Sequence, residues 1–256
     1  MRLPILMPFP QGKWRGSFPI PADSLLLLVC QCELSLLLVG VTMTTTAKQR
    51  VIALLRGQEA KRIRFIATTA TAGDVTINHT TFATVANAIE SHKVKVTVKA
   101  HFDNEDVEAQ YDADAVPALG MIPGFTSGQL LVPPIVGRDE EGSAMHECTH
   151  AFFDLQSIDV GATEEEAISY VVGALYERMT GLPKSRWGTD QVFQTSHVVA
   201  GGLLHQYQLG DVAIPKVDDT AFKTLVLAVA TDSYYFSRTA GLIRWFRGKN
   251  RYQHDG

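Results

Sequence analysis

Cysteine is scarce: Cys30, Cys32 and Cys148 are the only three in 256 residues. Three thiols cannot build the disulfide framework on which small secreted domains depend, so the chain reads as one made for a reducing compartment. An excess of positive charge is lacking too. Lys and Arg number 23 against 27 Asp and Glu, net −4, which leaves no broad basic surface and argues against nucleic acid as the main partner. Internal repeats and low-complexity runs are missing, which removes repeat arrays, collagen-like chains and wholesale disorder. What is present is ordinary for a filled core: 46% apolar and 20% charged residues, in a length suited to one large domain or two small ones.

One apolar run stands apart. A Pro-rich, aromatic opening (Pro4, Pro8, Pro10, Pro19, Pro21) leads into Leu25–Val41, which is apolar apart from Gln31, Cys32, Glu33 and Ser35. As a transmembrane helix the run is short and has a carboxylate at its centre. As a signal peptide it has Arg2, Lys13 and Arg15 ahead of it, yet no clear small-x-small cleavage site follows before Thr42. As an over-extended translation start it leaves Met43 as the true beginning, with Val51, Ile52, Leu54 and Leu55 opening an amphipathic helix just after. Residues 1–42 are therefore read as an extension outside the core (a mis-called start, a signal or an anchor). Residues 43–250 are read as a single domain and 251–256 as a frayed tail. The expected location is the cytoplasm, with a membrane involved only if 1–42 is a real anchor or export signal.

Alternation marks the first half of that domain. Ile63, Phe65 and Ala67 alternate with Arg62 and Arg64, Val94, Val96 and Val98 with Lys95 and Lys99, and Val107, Ala109 and Tyr111 with polar partners. Each pattern predicts a strand with one wet face, and together they predict an antiparallel sheet whose lysines and arginines face solvent. Phe82, Val85 and Ile89 predict a helix capped by Thr80 or Thr81. Gln129–Val132 predicts a short strand closed by Pro133-Pro134, hence at a sheet edge where an extended peptide could add as a further strand. After residue 140 the apolar spacing becomes helical, over Met145–Gln156, Glu164–Met179, Gln191–Gln208 and Thr220–Phe236. Strands first and helices later predict an α+β fold.

The chemistry is concentrated in Ser143–Asp154, which contains His146-Glu147-Cys148-Thr149-His150, a His-Glu-x-x-His sequence. On a helix, residues i and i+4 share a face one turn apart, so His146 and His150 can aim imidazole nitrogens at one ion. Glu147 is turned too far round the helix to be a close ligand, but it can reach a metal-bound water as general base. A catalytic zinc site takes three protein ligands and one open position. Met145, Cys148, Thr149, Ala151 and Phe152 around the motif are uncharged, which fits a buried helix rather than a surface one. Cys148, two places past a ligand, points away and is read as a small buried hydrophobe.

The third ligand is expected from Thr163-Glu164-Glu165-Glu166-Ala167-Ile168-Ser169-Tyr170. Here the chain resembles the gluzincin metallopeptidases, in which a second helix brings a Glu to the metal. The local wording is similar to the thermolysin-like branch, with His-Glu-x-Thr-His-Ala and a later Glu-Ala-Ile-Ser, matched by His146–Ala151 and Glu166–Ser169. The resemblance covers roughly thirty residues, and Tyr170 stands where those enzymes carry an Asp that orients a ligand His. It implies zinc held by His146, His150 and Glu166, and a zincin-like helical half behind the sheet. Two alternatives stay open: Glu164, since Glu164-x-x-Ala167 fits another gluzincin pattern, and Glu165. Thr163-x-x-Glu166 also has the spacing of a capping box, which would occupy Glu166 with the helix start. Asp154 and Asp159 are candidate acceptors for a ligand His N–H, and His197, His205 and Tyr207 are candidate oxyanion donors. The expected function is a zinc metallohydrolase, foremost a peptidase acting on a peptide or protein, with a non-catalytic zinc protein or an anchored or exported effector as the other readings.

Overall fold

The computed structural model describes residues 46–99, 109–112, 128–135, 137–187, 189–209 and 213–232, all within the unit Thr45–Gly256. The expectations placed on residues 1–42, Val107, the end of the last helix and the tail lie outside the described residues.

Helix α1 (Ala47–Leu55) starts in a capping box: Thr46 Oγ1 accepts the Gln49 N–H while Gln49 Oε1 accepts the Thr46 N–H. It buries Val51, Leu54 and Leu55. A short helix α2 (Gln58–Arg62) follows, so Ile63 ends a helix rather than opening a strand. Strands β1 (Phe65–Thr69) and β2 (Gly73–Ile77) form an antiparallel hairpin with Phe65 opposite Ile77. Gly73 enters β2 at φ +71°, a conformation that glycine adopts without steric cost. Helix α3 (His79–Glu90) is capped by Asn78 rather than by either threonine. Asn78 Oδ1 accepts the Thr80 N–H at 2.8 Å, and the Asn78 N–H donates to Thr81 Oγ1.

The second sheet joins β3 (Val94–Val98), β4 (Gln110–Asp112) and β5 (Gly128–Val132) in the order β3-β5-β4. It corrects two expectations. The sheet is mixed and separate from the hairpin, because β5 runs parallel to β3 and antiparallel to β4. The segment Gln129–Val132 is central and not an edge. Pro133 and Pro134 fall after its last paired residue, so the ladder loses no donor to them. A peptide cannot add at β5; among the described residues the edges are β3 and β4.

The helical half comprises α4 (Arg138–Gln156), α5 (Ala162–Met179), α6 (Gln191–Leu209) and α7 (Asp219–Thr231), with one 3₁₀ turn at Lys184–Arg186. The whole is α+β. Helix α4 begins at Arg138 rather than at Met145. Its first turns are charged and carry no apolar rhythm, yet Asp139, Glu140 and Glu141 sit where carboxylates favour a helix N-terminus. Met145, Cys148, Ala151 and Phe153 of α4 share a core with Ile168, Val171, Val172 and Leu175 of α5. Two glycines set how closely these helices approach. A Cβ at Gly173 would stand 3.1 Å from the Gly142 carbonyl oxygen, and one at Gly142 would stand 2.5 Å from Glu177 Oε1. The backbones therefore meet where neither position carries a side chain.

Candidate metal centre

Helices α4 and α5 are joined by the short loop Ser157–Gly161 and lie side by side. Helix α4 closes with Ser157 in the left-handed region at φ 51°, which turns the chain back at once. The start of α5 thus stands beside the end of α4, and the acidic run at 164–166 beside the two histidines.

Successive helical residues are about 100° apart around the axis, so three consecutive glutamates must point three ways. Glu164 turns to the β1–β2 hairpin, where its carboxylate accepts the Ala70 N–H at 2.6 Å and the Thr71 hydroxyl at 3.4 Å. Glu165 turns to the back of His150, with Oε1 2.8 Å from Nδ1. Glu166 turns to the front, with Oε2 3.3 Å from His146 Nε2 and 3.6 Å from His150 Nε2. The capping-box alternative for Glu166 does not form. Helix α5 begins at Ala162 with Gly161 as its N-cap, which places Thr163 inside the helix. Glu164 is tied to the hairpin and Glu165 lies on the Nδ1 side of His150, so of the three it is Glu166 that comes near both Nε2 atoms.

The two imidazoles meet in front, Nε2 to Nε2, at 3.1 Å. His146, His150 and Glu166 are the group among the described residues with the composition and closeness to hold an ion. Their separations of 3.1, 3.3 and 3.6 Å can be compared with a zinc tetrahedron. Ligands about 2.0–2.1 Å from zinc in tetrahedral geometry stand about 3.4 Å from one another. The three atoms therefore fit the base of such a site.

Burial grades across the cluster. The side chains of His150 and Glu165 are 2% exposed, that of Glu166 9%, and those of His146 and Glu147 13% each. The more exposed part of the cluster carries Glu147, whose Oε1 lies 3.9 Å from His146 Nε2. Burial alone would lower the pKa of His150. The carboxylates of Glu166 and Glu165 outweigh it and hold the imidazolium well above the ordinary histidine range. A pocket that favours a buried positive charge is suited to a cation. Cys148 is fully buried, and desolvation together with the charge of Glu147 raises its thiol pKa far above the usual range, so it stays protonated and inert.

Several expected participants are elsewhere. Asp154 is exposed and accepts the Tyr111 hydroxyl at 2.8 Å, and Asp159 is exposed in the α4–α5 loop. The carboxylate on the Nδ1 side of His150 is that of Glu165, and its place in a run of three glutamates is the signal the sequence offers. His197 is fully buried on α6, stacked on Trp187 at 3.9 Å with Nε2 3.0 Å from Glu177 Oε2. Glu177 lies three turns beyond Glu166, about 16 Å along α5, so His197 does not face the cluster. His205 is exposed, and the Tyr207 hydroxyl is engaged with the backbone of Arg64, donating to its carbonyl at 2.6 Å and accepting its N–H at 3.1 Å. Arg62 and Lys95 face solvent as expected, while Arg64 is half-buried and donates to the Ala213 carbonyl. Tyr170, one turn past Glu166, sets its ring against His146.

Comparison with protein-family models, with curated proteins and with solved structures returned no match, so the functional reading rests on this geometry.

Proposed function

We propose that this chain is a zinc-dependent metallohydrolase of the gluzincin type, acting on a peptide or protein. Its ligands are His146, His150 and Glu166, its general base is Glu147, and its cofactor is Zn2+. The observation that carries this reading is the triangle of ligand atoms at 3.1, 3.3 and 3.6 Å with Glu165 behind His150. A sheet followed by a ligand helix and a second helix is the zincin-like arrangement, and it belongs to the same proposal.

The protein groups divide the work. Glu165 accepts the Nδ1–H of His150 and so leaves the Nε2 lone pair facing the ion position. Zinc, when bound there, polarises a substrate carbonyl and acidifies a water. Glu147 stands beside His146, where it accepts a proton from the attacking water and returns it to the departing nitrogen. The scarcity of cysteine favours a reducing compartment such as the cytoplasm. No helix among the described residues is long and apolar enough to cross a membrane.

A non-catalytic zinc protein is the second reading, favoured by one observation: two of the expected oxyanion donors are engaged elsewhere, His197 beside Glu177 and the Tyr207 hydroxyl on the Arg64 backbone. Metal analysis of the full-length chain with a broad peptide-library digest separates the two. Zinc together with cleavage that is lost in Glu147→Gln supports the hydrolase. Zinc without cleavage of any peptide supports the second reading.

A further inference from the structure

The two histidines are held in different ways. His150 has a carboxylate on its Nδ1 side, and its ring is shut away from solvent. For His146, the carboxylates in reach among the described residues, Glu147 and Glu166, both approach Nε2. Its ring instead meets that of Tyr170, with centroids 4.5 Å apart and planes at 74°. Tyr170 lies four residues past Glu166, so one face of α5 delivers both the third ligand and this ring. Tyr170 is fixed in turn by Phe193 in the first turn of α6, at 5.3 Å and 85°. Phe193 is anchored by its N–H, which donates to Asp190 Oδ1 at 2.9 Å.

We propose that Tyr170, backed by Phe193, is the positioning residue of His146, holding its Nε2 toward the ion position as Glu165 does for His150. His146 is the more exposed of the two imidazoles and so the less confined by its surroundings. Edge-to-face packing restricts its ring by shape and quadrupole, and it needs the Tyr170 ring but not the hydroxyl. The inference rests on the zinc site proposed above. It adds that part of the site's metal affinity comes from α6, a helix that supplies no ligand.

The experiment uses the full-length chain with Tyr170→Phe, Tyr170→Leu and Phe193→Leu. Zinc affinity is read by competition with a chelator, ligand geometry by the visible spectrum of the Co2+-loaded protein, and folding by the thermal midpoint of the metal-free form. Tyr170→Phe is expected to keep the affinity and spectrum of the wild type. Tyr170→Leu is expected to bind zinc about tenfold or more weakly, in the range seen when groups orienting a ligand are removed, and to show an altered Co2+ spectrum. Phe193→Leu should shift both in the same direction, and it carries the test if Tyr170→Leu does not fold. Wild-type affinity and spectrum in a folded Tyr170→Leu, or in Phe193→Leu where the other fails to fold, would overturn the inference and leave the zinc site standing. A Tyr170→Phe protein as weak as Tyr170→Leu would overturn the ring account in favour of the hydroxyl. A wild-type chain that binds no zinc would overturn both proposals together.

Discussion

Glu165 Oε1 lies 2.8 Å from His150 Nδ1, and both side chains are closed off from solvent. Burying both groups costs desolvation, but once they are buried, removing either one leaves the other without water to turn to. The contact turns Nδ1 of His150 to Glu165 and leaves Nε2 pointed at Glu166 and His146. One residue earlier or later along α5, the same carboxylate would face the hairpin or the two Nε2 atoms.

Removing that support should weaken the metal without removing a ligand. Glu165→Ala is expected to lower zinc affinity about 10–100-fold, while Glu165→Gln, which keeps an acceptor oxygen, should lose less. Chelator competition on the two variants checks the order.

The metal-free protein should carry a pH signature from His150. Glu166 and Glu165, against the effect of burial, raise its folded pKa above the unfolded value of about 6.5. The resulting stabilisation is complete below about pH 6.5 and is lost as pH rises through the folded pKa. Thermal midpoints of the chelator-treated chain, measured upward from that pH, should fall more steeply than those of His150→Gln. Zinc binding near neutral pH should release a proton, which calorimetry in buffers of different ionisation enthalpy detects.

The α4–α5 spacing should matter to the metal as much as to the fold. Gly173→Ala adds a methyl 3.1 Å from the Gly142 carbonyl oxygen. Helix propensity returns up to about 1 kcal/mol, but overpacking against backbone costs about 1–3 kcal/mol. The expected outcome is a lower thermal midpoint and weaker zinc binding, although the substitution touches no ligand.

Glu164 should behave unlike its two neighbours. Its carboxylate ties α5 to the backbone of Ala70, so Glu164→Gln is expected to cost about 0.5–1.5 kcal/mol of stability and to leave zinc content unchanged. Denaturant unfolding with metal analysis of the same sample checks both halves.

Much of this arrangement was legible in the sequence because it depends on local period. His146 and His150 share a face by helical geometry alone, and the long helices α5 and α6 follow their apolar spacing to within two residues at each end. What was not legible depended on partners distant in sequence. Arg138–Gly142 shows no apolar rhythm and is helical through its charges and its packing on α5. Gln129–Val132 resembled an edge strand beside its prolines, and the pairing with β3 and β4 that makes it central leaves no trace in the segment itself. The roles of Glu164, Glu165 and Glu166 could be narrowed but not separated until the facing atoms were known: the Ala70 amide, His150 Nδ1 and the two Nε2 atoms. Asp154 drew attention by its closeness in sequence to His150, yet it serves Tyr111.

The central claim is that His146, His150 and Glu166 hold one zinc that Glu147 serves without binding. Its most direct test is the zinc content of the full-length wild-type chain beside His146→Ala, Glu166→Gln and Glu147→Gln, purified alike. The account predicts one zinc per chain in the wild type and in Glu147→Gln, with hydrolysis lowered about 10²-fold or more in the latter, and loss of zinc in the other two. Full zinc occupancy in His146→Ala or Glu166→Gln, or none in the wild type, would contradict it.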